Sequence, residues 1–184
     1  MADRKIKKIY FIGIGGIGVS ALARFCLKKG DKVFGSDLVD SEITEKLKKE
    51  GAKIYIGSQN GKYLSLNFDL VVYSPAIFRD HTELKKAKEL SLKTLSYPQA
   101  LGEIIKNYFS IAVAGTHGKS TTTALISLIL IKAGFDPNVI IGTKLKEFGD
   151  SNCRVGRSNY FVFEADEWRM SFLNYFPKII ILTN

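Results

Sequence analysis

The sequence predicts an α/β protein: a doubly wound parallel sheet over residues 1–107, then a P-loop-type α/β domain over 108–184 that breaks off early. Three observations predict it. Short apolar runs alternate with amphipathic, helix-period segments along the chain, as happens when crossover helices bury a sheet on both faces. Two glycine-rich loops, at 13–18 and 115–118, each follow an apolar run and open a helix pattern. Acidic residues close two further apolar runs, at Asp37 and Glu164.

Lys8-Ile-Tyr-Phe-Ile-Gly13 reads as a buried parallel strand, and the helix pattern after the glycines carries Leu22, Phe25, Cys26 and Leu27. Gly13, Gly15 and Gly18 form a Gly-x-Gly-x-x-Gly fingerprint in its required setting, strand before and helix after. With Gly16 they permit a tight turn and close approach of backbone to a pyrophosphate. The strand at 32–36 ends in Ser36-Asp37, nineteen residues past Gly18, where an acid meets a ribose hydroxyl or a base edge. NAD and a UDP-sugar carry the same diphosphate, and backbone amides do not distinguish them. Ser41 is placed to cap a helix running to Lys49. Strands at 53–56 and 69–73 follow, then a Ser74-Pro75 turn at a strand's C-terminal end, where open α/β sheets hold ligands. A charged helix at 83–90, an edge strand at 93–95 and a helix at 98–105 complete this Rossmann-like unit.

In the second half, Ile111 to Ala114 leads into Gly115-Thr116-His117-Gly118-Lys119-Ser120-Thr121 and a long apolar helix. The strict phosphate-loop pattern places a glycine at 113, where this chain has Val113, so the match is to a shortened variant. Loop amides and the helix N-terminus converge where a phosphate sits. Lys119 reaches terminal phosphates, and the Ser120 hydroxyl takes one Mg²⁺ position. The helix is apolar almost all round, which predicts burial inside a larger domain. A short strand at 138–141 and a polar loop precede Tyr160-Phe-Val-Phe163, which runs into Glu164-Ala-Asp166-Glu167. At least one of these acids is placed to serve the metal. A last buried strand at 178–184 ends the chain inside what reads as an unfinished sheet of four strands.

Composition narrows the partners. Of the net charge of +9, +7 falls in residues 1–107 and +2 in 108–184. The lysines lie on helix-like segments such as 45–49 and 84–88 without interleaved aromatics, which speaks for solvated helix faces and against nucleic acid. Cys26 and Cys153 are isolated and lack metal-like spacing, as in a reducing compartment. The charged N-terminus enters a strand directly, and the apolar helix is too short to span a bilayer. The expectation is a cytoplasmic protein without membrane contact.

Taken together the motifs resemble the Mur ligases. The resemblance rests on Gly13-Ile-Gly-Gly-Ile-Gly18, Gly35-Ser-Asp37, Ser74-Pro-Ala-Ile77, Ala112-Val-Ala-Gly-Thr-His-Gly-Lys-Ser-Thr-Thr-Thr-Ala124, Glu164-Ala-Asp-Glu167 with Ser171-Phe-Leu173, and Leu182-Thr-Asn184. It is nearest to members that join L-alanine to UDP-N-acetylmuramate, with the murein tripeptide-adding members next. It implies that Gly13, Gly15, Gly16, Gly18, Ser36, Asp37 and Ser74 line a UDP-sugar site. It implies that residues 115–121 bind ATP, with Lys119 and Glu164 catalytic and with Ser120 and Glu164 at Mg²⁺. The chemistry implied is an acyl phosphate on the muramoyl carboxylate, opened by the amine.

Four features depart from the family pattern: Trp168-Arg169 in place of Ser-Asp, Pro75 in place of serine, Ser58 where a histidine often stands, and no His-bearing segment after Asn184. The resemblance therefore implies a fragment, inactive alone, whose partner is the remaining C-terminal region of the same enzyme. Two other readings stand beside it: an NAD(P)-dependent oxidoreductase resting on residues 13–18 and Asp37, and a UDP-sugar-binding module without catalysis.

Overall fold

The structure, a computed structural model, describes residues 5–184, the Trp168 side chain excepted. It forms two compact units, one ending at Tyr97 and the other Pro98–Asn184.

The first unit is a five-stranded parallel sheet in the order β3-β2-β1-β4-β5. Its elements are β1 (Lys8–Ile12), α1 (Ile17–Lys28), β2 (Lys32–Asp37), α2 (Glu42–Lys49), β3 (Lys53–Ile56), β4 (Leu70–Tyr73), α3 (Thr82–Glu89) and β5 (Thr94–Ser96). β1 pairs with both β2 and β4, so the order reverses at its C-terminal end. Ligand crevices of doubly wound sheets open at that point. Ser41 caps α2 as the sequence predicts, accepting from the Thr44 N–H at 3.2 Å while its own N–H donates to Thr44 Oγ1 at 2.8 Å. Buried Arg24 of α1 bonds Glu50, past the end of α2, at 2.6 Å. No helix covers the crossover between β3 and β4. Its place is taken by Leu64, Tyr63 and Phe68, which pack on Tyr10, Ile12 and Val71 beside Leu84 and Ala87 of α3. Tyr63 stacks on Tyr55 at 3.5 Å between ring centroids, and such aromatic burial supplies the area a helix would have covered.

The second unit begins at Pro98, within α4 (Tyr97–Ile105), a helix that the sequence places in the first domain. A Cβ on its Gly102 would collide with the Asn174 carbonyl oxygen, so α4 is seated tightly on the segment before the last strand. β6 (Phe109–Ala114), α5 (Lys119–Lys132), β7 (Asn138–Leu145), β8 (Ser151–Arg154), β9 (Tyr160–Glu164) and β10 (Ile179–Leu182) follow, with two 3₁₀ turns at 146–148 and 168–174. The sheet order is β10-β6-β9-β7-β8, with β8 antiparallel at one edge. Five strands stand where four were expected. β7 continues to Leu145 and pairs with β8, which puts Cys153 in a buried strand rather than a loop. Exposed Gly142, Thr143 and Lys144 remove the apolar signal from that half of β7.

α5 is apolar almost all round. It packs one face on the sheet and leaves Leu125 and Ile129 exposed at 56% and 63%, because its inward positions include the hydroxyl residues Thr123 and Ser127. Ser127 donates to the Thr123 carbonyl at 2.7 Å, but among the described residues buried Thr123 Oγ1 has no partner. An unmatched buried hydroxyl costs about 1–3 kcal/mol. Thr123→Val keeps the shape and removes the unmet group, so it is expected to raise the melting temperature by about 4–8 °C. A scan in which it melts lower would mean that the hydroxyl is satisfied.

Candidate functional site

In the first unit, the loop from β1 to α1 is held chiefly by β2. Gly13 adopts φ +73°, which glycine tolerates best. The Gly13 and Ile14 N–H groups donate to the Ser36 carbonyl at 2.9 and 3.1 Å. The Gly15 N–H donates to Asp37 Oδ2 at 2.7 Å. Gly16 caps α1 without a side chain, and Ser74 stands beside Gly13 and Gly16 at the end of β4. A Cβ added at Gly18 would lie 2.9 Å from the Tyr97 ring, so the third glycine of the fingerprint gives room for packing. Thus Gly13, Gly15, Gly16, Asp37 and Ser74 gather at the C-terminal rim of the sheet. Ser36 is 2% exposed, and its hydroxyl donates to Glu83 and accepts from Gln59. Gln59, His81 and Glu83 have no individual sequence signal. A glutamate opening a helix ordinarily reads as a charge favourable to the helix dipole. Gly35 was legible only as part of a motif, yet it is the tightest packed glycine of this unit: a Cβ there would meet the Phe11 carbonyl oxygen at 2.6 Å and Ile14 Cδ1 at 2.8 Å.

In the second unit, β6 is flanked by β10 and β9, with Leu182 opposite Ala114 and Glu164 opposite Val113. The loop 115–118 therefore lies between Glu164 on one side and Thr183-Asn184 on the other. Gly115 and Gly118 both have positive φ, +131° and +78°. A Cβ on Gly115 would also collide with Thr183 Oγ1. The Thr116 and His117 N–H groups converge on one oxygen, Asn184 Oδ1, at 2.8 and 3.1 Å, an arrangement that suits any small acceptor. Thr183 Oγ1 donates to the His117 carbonyl at 2.5 Å. Lys119 folds back, donating to the Gly115 carbonyl at 2.6 Å and pairing with Glu167 at 3.2 Å. Glu167's own N–H, and then the Lys119 ammonium, hold its carboxyl below the usual range. Ser120 is half-buried at the start of α5, and Thr121 is exposed. Glu164 Oε1 accepts the Gly142 N–H at 2.8 Å. A Cβ at Gly142 would come within 3.0 Å of the same carboxylate, so a larger residue there would press on it. Past the acids, Arg169 and Met170 hold φ of +50° and +56°, a strained backbone for residues other than glycine. Burial, and next the Asp166 charge, push the Tyr175 phenol up.

A reversing parallel sheet with a glycine loop at its switch point, followed by a strand–loop–helix with a lysine on its first turn, defines an α/β protein built on two glycine loops. Residues 8–109 match the Mur ligase family, catalytic domain, and the chain belongs to the Mur ligase family. It is 48% identical to UDP-N-acetylmuramate–L-alanine ligase of Clostridium kluyveri over 98% of its own length and 39% of the relative's. Two solved structures share the fold. A UDP-N-acetylmuramate–alanine ligase from Thermotoga maritima has a TM-score of 0.89 at 31% identity, covering 97% of this chain and 41% of that one. A UDP-N-acetylmuramate:L-alanyl-gamma-D-glutamyl-meso-diaminopimelate ligase from Neisseria meningitides has a TM-score of 0.88 at 29% identity, covering 96% and 60%. The chain thus spans about two fifths of the length of the curated relative. Among the described residues no helix is long and apolar enough to cross a membrane.

Proposed function

We propose that residues 1–184 carry the UDP-sugar site and the phosphate loop of an ATP-dependent ligase of peptidoglycan precursor synthesis, working in the cytoplasm. Its reaction joins L-alanine to the muramoyl carboxylate of UDP-N-acetylmuramate. The observation behind the reading is the presence, in one chain, of two glycine loops at the C-terminal ends of β1 and β6. Such a ligase needs both, one for the diphosphate of its substrate and one for ATP.

A carboxylate is a poor electrophile, so the muramoyl carboxylate takes the terminal phosphoryl of ATP, releasing ADP, to give an acyl phosphate. The L-alanine amine then adds to that carbonyl, and phosphate leaves. Lys119 would bear on the charge that develops at the transferred phosphoryl, exchanging the Gly115 carbonyl and Glu167 for phosphate oxygens. The Ser120 hydroxyl and Glu164 carboxylate are hard oxygen donors of the kind Mg²⁺ takes. Among the described residues no group of three His, Cys, Asp or Glu could hold a metal alone. This fits an ion completed by phosphate and water, as Mg²⁺ sites commonly are. Bound there, the ion would neutralise phosphate charge. Gly142 keeps the Glu164 carboxylate aimed. The region that receives the amino acid would lie in the rest of the same enzyme.

In the first unit, Gly13, Gly15, Gly16 and Gly18 would shape the diphosphate cradle with Ser74 beside it, and Asp37 would stand at the nucleoside side with buried Ser36 behind it. One oxygen of Asp37 already holds the Gly15 N–H, which weakens the nicotinamide alternative, since that reading relies on the acid for a ribose diol. The likeness to the Neisseria structure keeps tripeptide addition as the second reading; it would leave the UDP-sugar site unchanged. In calorimetry UDP-N-acetylmuramate is expected to bind 1–184 and NADH to leave that binding undisturbed. Displacement by NADH would sink the proposal.

A further inference from the structure

Glu83 is 1% exposed in the first turn of α3. Both of its oxygens are taken: Oε1 accepts from the Tyr10 hydroxyl at 2.8 Å and Oε2 from the Ser36 hydroxyl at 2.5 Å. Ser36 Oγ in turn accepts from Gln59 Nε2 at 3.0 Å, and Gln59 Oε1 lies 3.1 Å from His81 Nε2. His81 Nδ1 accepts the Glu83 N–H at 3.3 Å, so the ring proton sits on Nε2 and is donated to Gln59. The donors therefore run one way, from His81 through Gln59 and Ser36 to the Glu83 carboxylate. A buried carboxylate is costly unless its charge is met. Among the described residues no lysine or arginine pairs with Glu83; two hydroxyls and the N-terminal end of α3 meet the charge instead. Burial, and next the Glu83 charge, push the Tyr10 phenol far up and keep it a donor.

Ser36 links this network to the rim. Its side chain belongs to Glu83 and Gln59, while its carbonyl takes the N–H groups of Gly13 and Ile14. We infer that Glu83 is a positioning residue of the nucleotide site: through Ser36 it sets the glycine loop, and through Gln59 it sets the loop after β3. Both sides of Asp37 are thereby fixed before a diphosphate arrives. The inference rests on the reading of this unit as a UDP-sugar site.

Glu83→Gln and Tyr10→Phe separate positioning from packing. The isosteric amide leaves one acceptor facing two hydroxyl donors, so the Ser36 link is lost or reversed. Tyr10→Phe removes the other donor and leaves Ser36–Glu83 in place. Glu83→Gln is expected to weaken UDP-N-acetylmuramate binding to 1–184 by about tenfold or more and to shift the amide resonances of Gly13 and Ile14. Tyr10→Phe is expected to lower the melting temperature while holding Kd within about twofold and those two resonances in place. Wild-type affinity and unshifted amides in Glu83→Gln would overturn the inference, as would an equal loss of affinity in Tyr10→Phe. Should Glu83→Gln not fold, Ser36→Ala is expected to give the same two changes, and their absence there would overturn it equally. The amide shifts need no ligand. If they move while the wild-type chain binds no UDP-N-acetylmuramate, the positioning stands and the UDP-sugar reading falls.

Discussion

Gly35→Ala is expected to lower the melting temperature of the first unit by more than about 10 °C, equivalent to roughly 3 kcal/mol or more. Its added Cβ would sit 2.6 Å from the Phe11 carbonyl oxygen and 2.8 Å from Ile14 Cδ1. Phe11 is its register partner on β1, so backbone cannot recede from backbone without opening the ladder between the two central strands. Ile14 is the second residue of the glycine loop, and pushing it out would also carry Gly13 and Gly15 away from Ser36 and Asp37. UDP-sugar binding is expected to be lost with the fold. Gly16→Ala is the control. Gly16 has an ordinary φ of −63°, and its Cβ would approach nothing closer than 3.5 Å. It is expected to cost less than about 1 kcal/mol, so affinity lost there would report on ligand approach alone. Thermal melts of the two variants decide the matter. A Gly35→Ala protein melting within about 2 °C of wild type would refute the tight contact.

The contrast shows what the sequence could and could not disclose. Glycine spacing marks 13, 15, 16 and 18 because a local loop written in consecutive residues leaves a local pattern. Gly35 and Glu83 matter through partners far along the chain, Phe11 and Ile14 for one, Tyr10 and Ser36 for the other. No spacing rule reaches that far. The inner strands β1 and β4 of the first sheet were legible because burial on both faces makes them almost uniformly apolar. The β7–β8 pair was not, since its outer half is polar and exposed. α5 is apolar on nearly all sides, and the sheet of this chain covers one of its faces, leaving Leu125 and Ile129 open. In the second unit, strand, loop and lysine were legible from the run 111–121. The Gly142–Glu164 bond and the turn of Lys119 toward Glu167 depend on strand order, which the sequence does not spell out.

That turn makes Lys119→Ala the sharper functional test. The lysine's present partners are the Gly115 carbonyl and a carboxylate whose side chain is 54% exposed. An exposed ion pair of this kind contributes about 0–1 kcal/mol, and alanine favours the first turn of a helix. Folding should therefore change little, with a melting temperature within a few degrees of wild type. Nucleotide binding is the opposite case. A charge-assisted bond from an ammonium to phosphate, lost from a loop that is otherwise backbone, is expected to weaken MgATP binding by about 100-fold, near 3 kcal/mol. UDP-N-acetylmuramate affinity should stay as in wild type, because no member of the first site belongs to residues 115–121. Calorimetry with each ligand on the same preparation reads both quantities. Loss of both affinities together would mean that the two glycine loops serve one site. An unchanged MgATP affinity, or a wild-type chain that takes up none, would remove Lys119 from the proposed phosphate site in this chain.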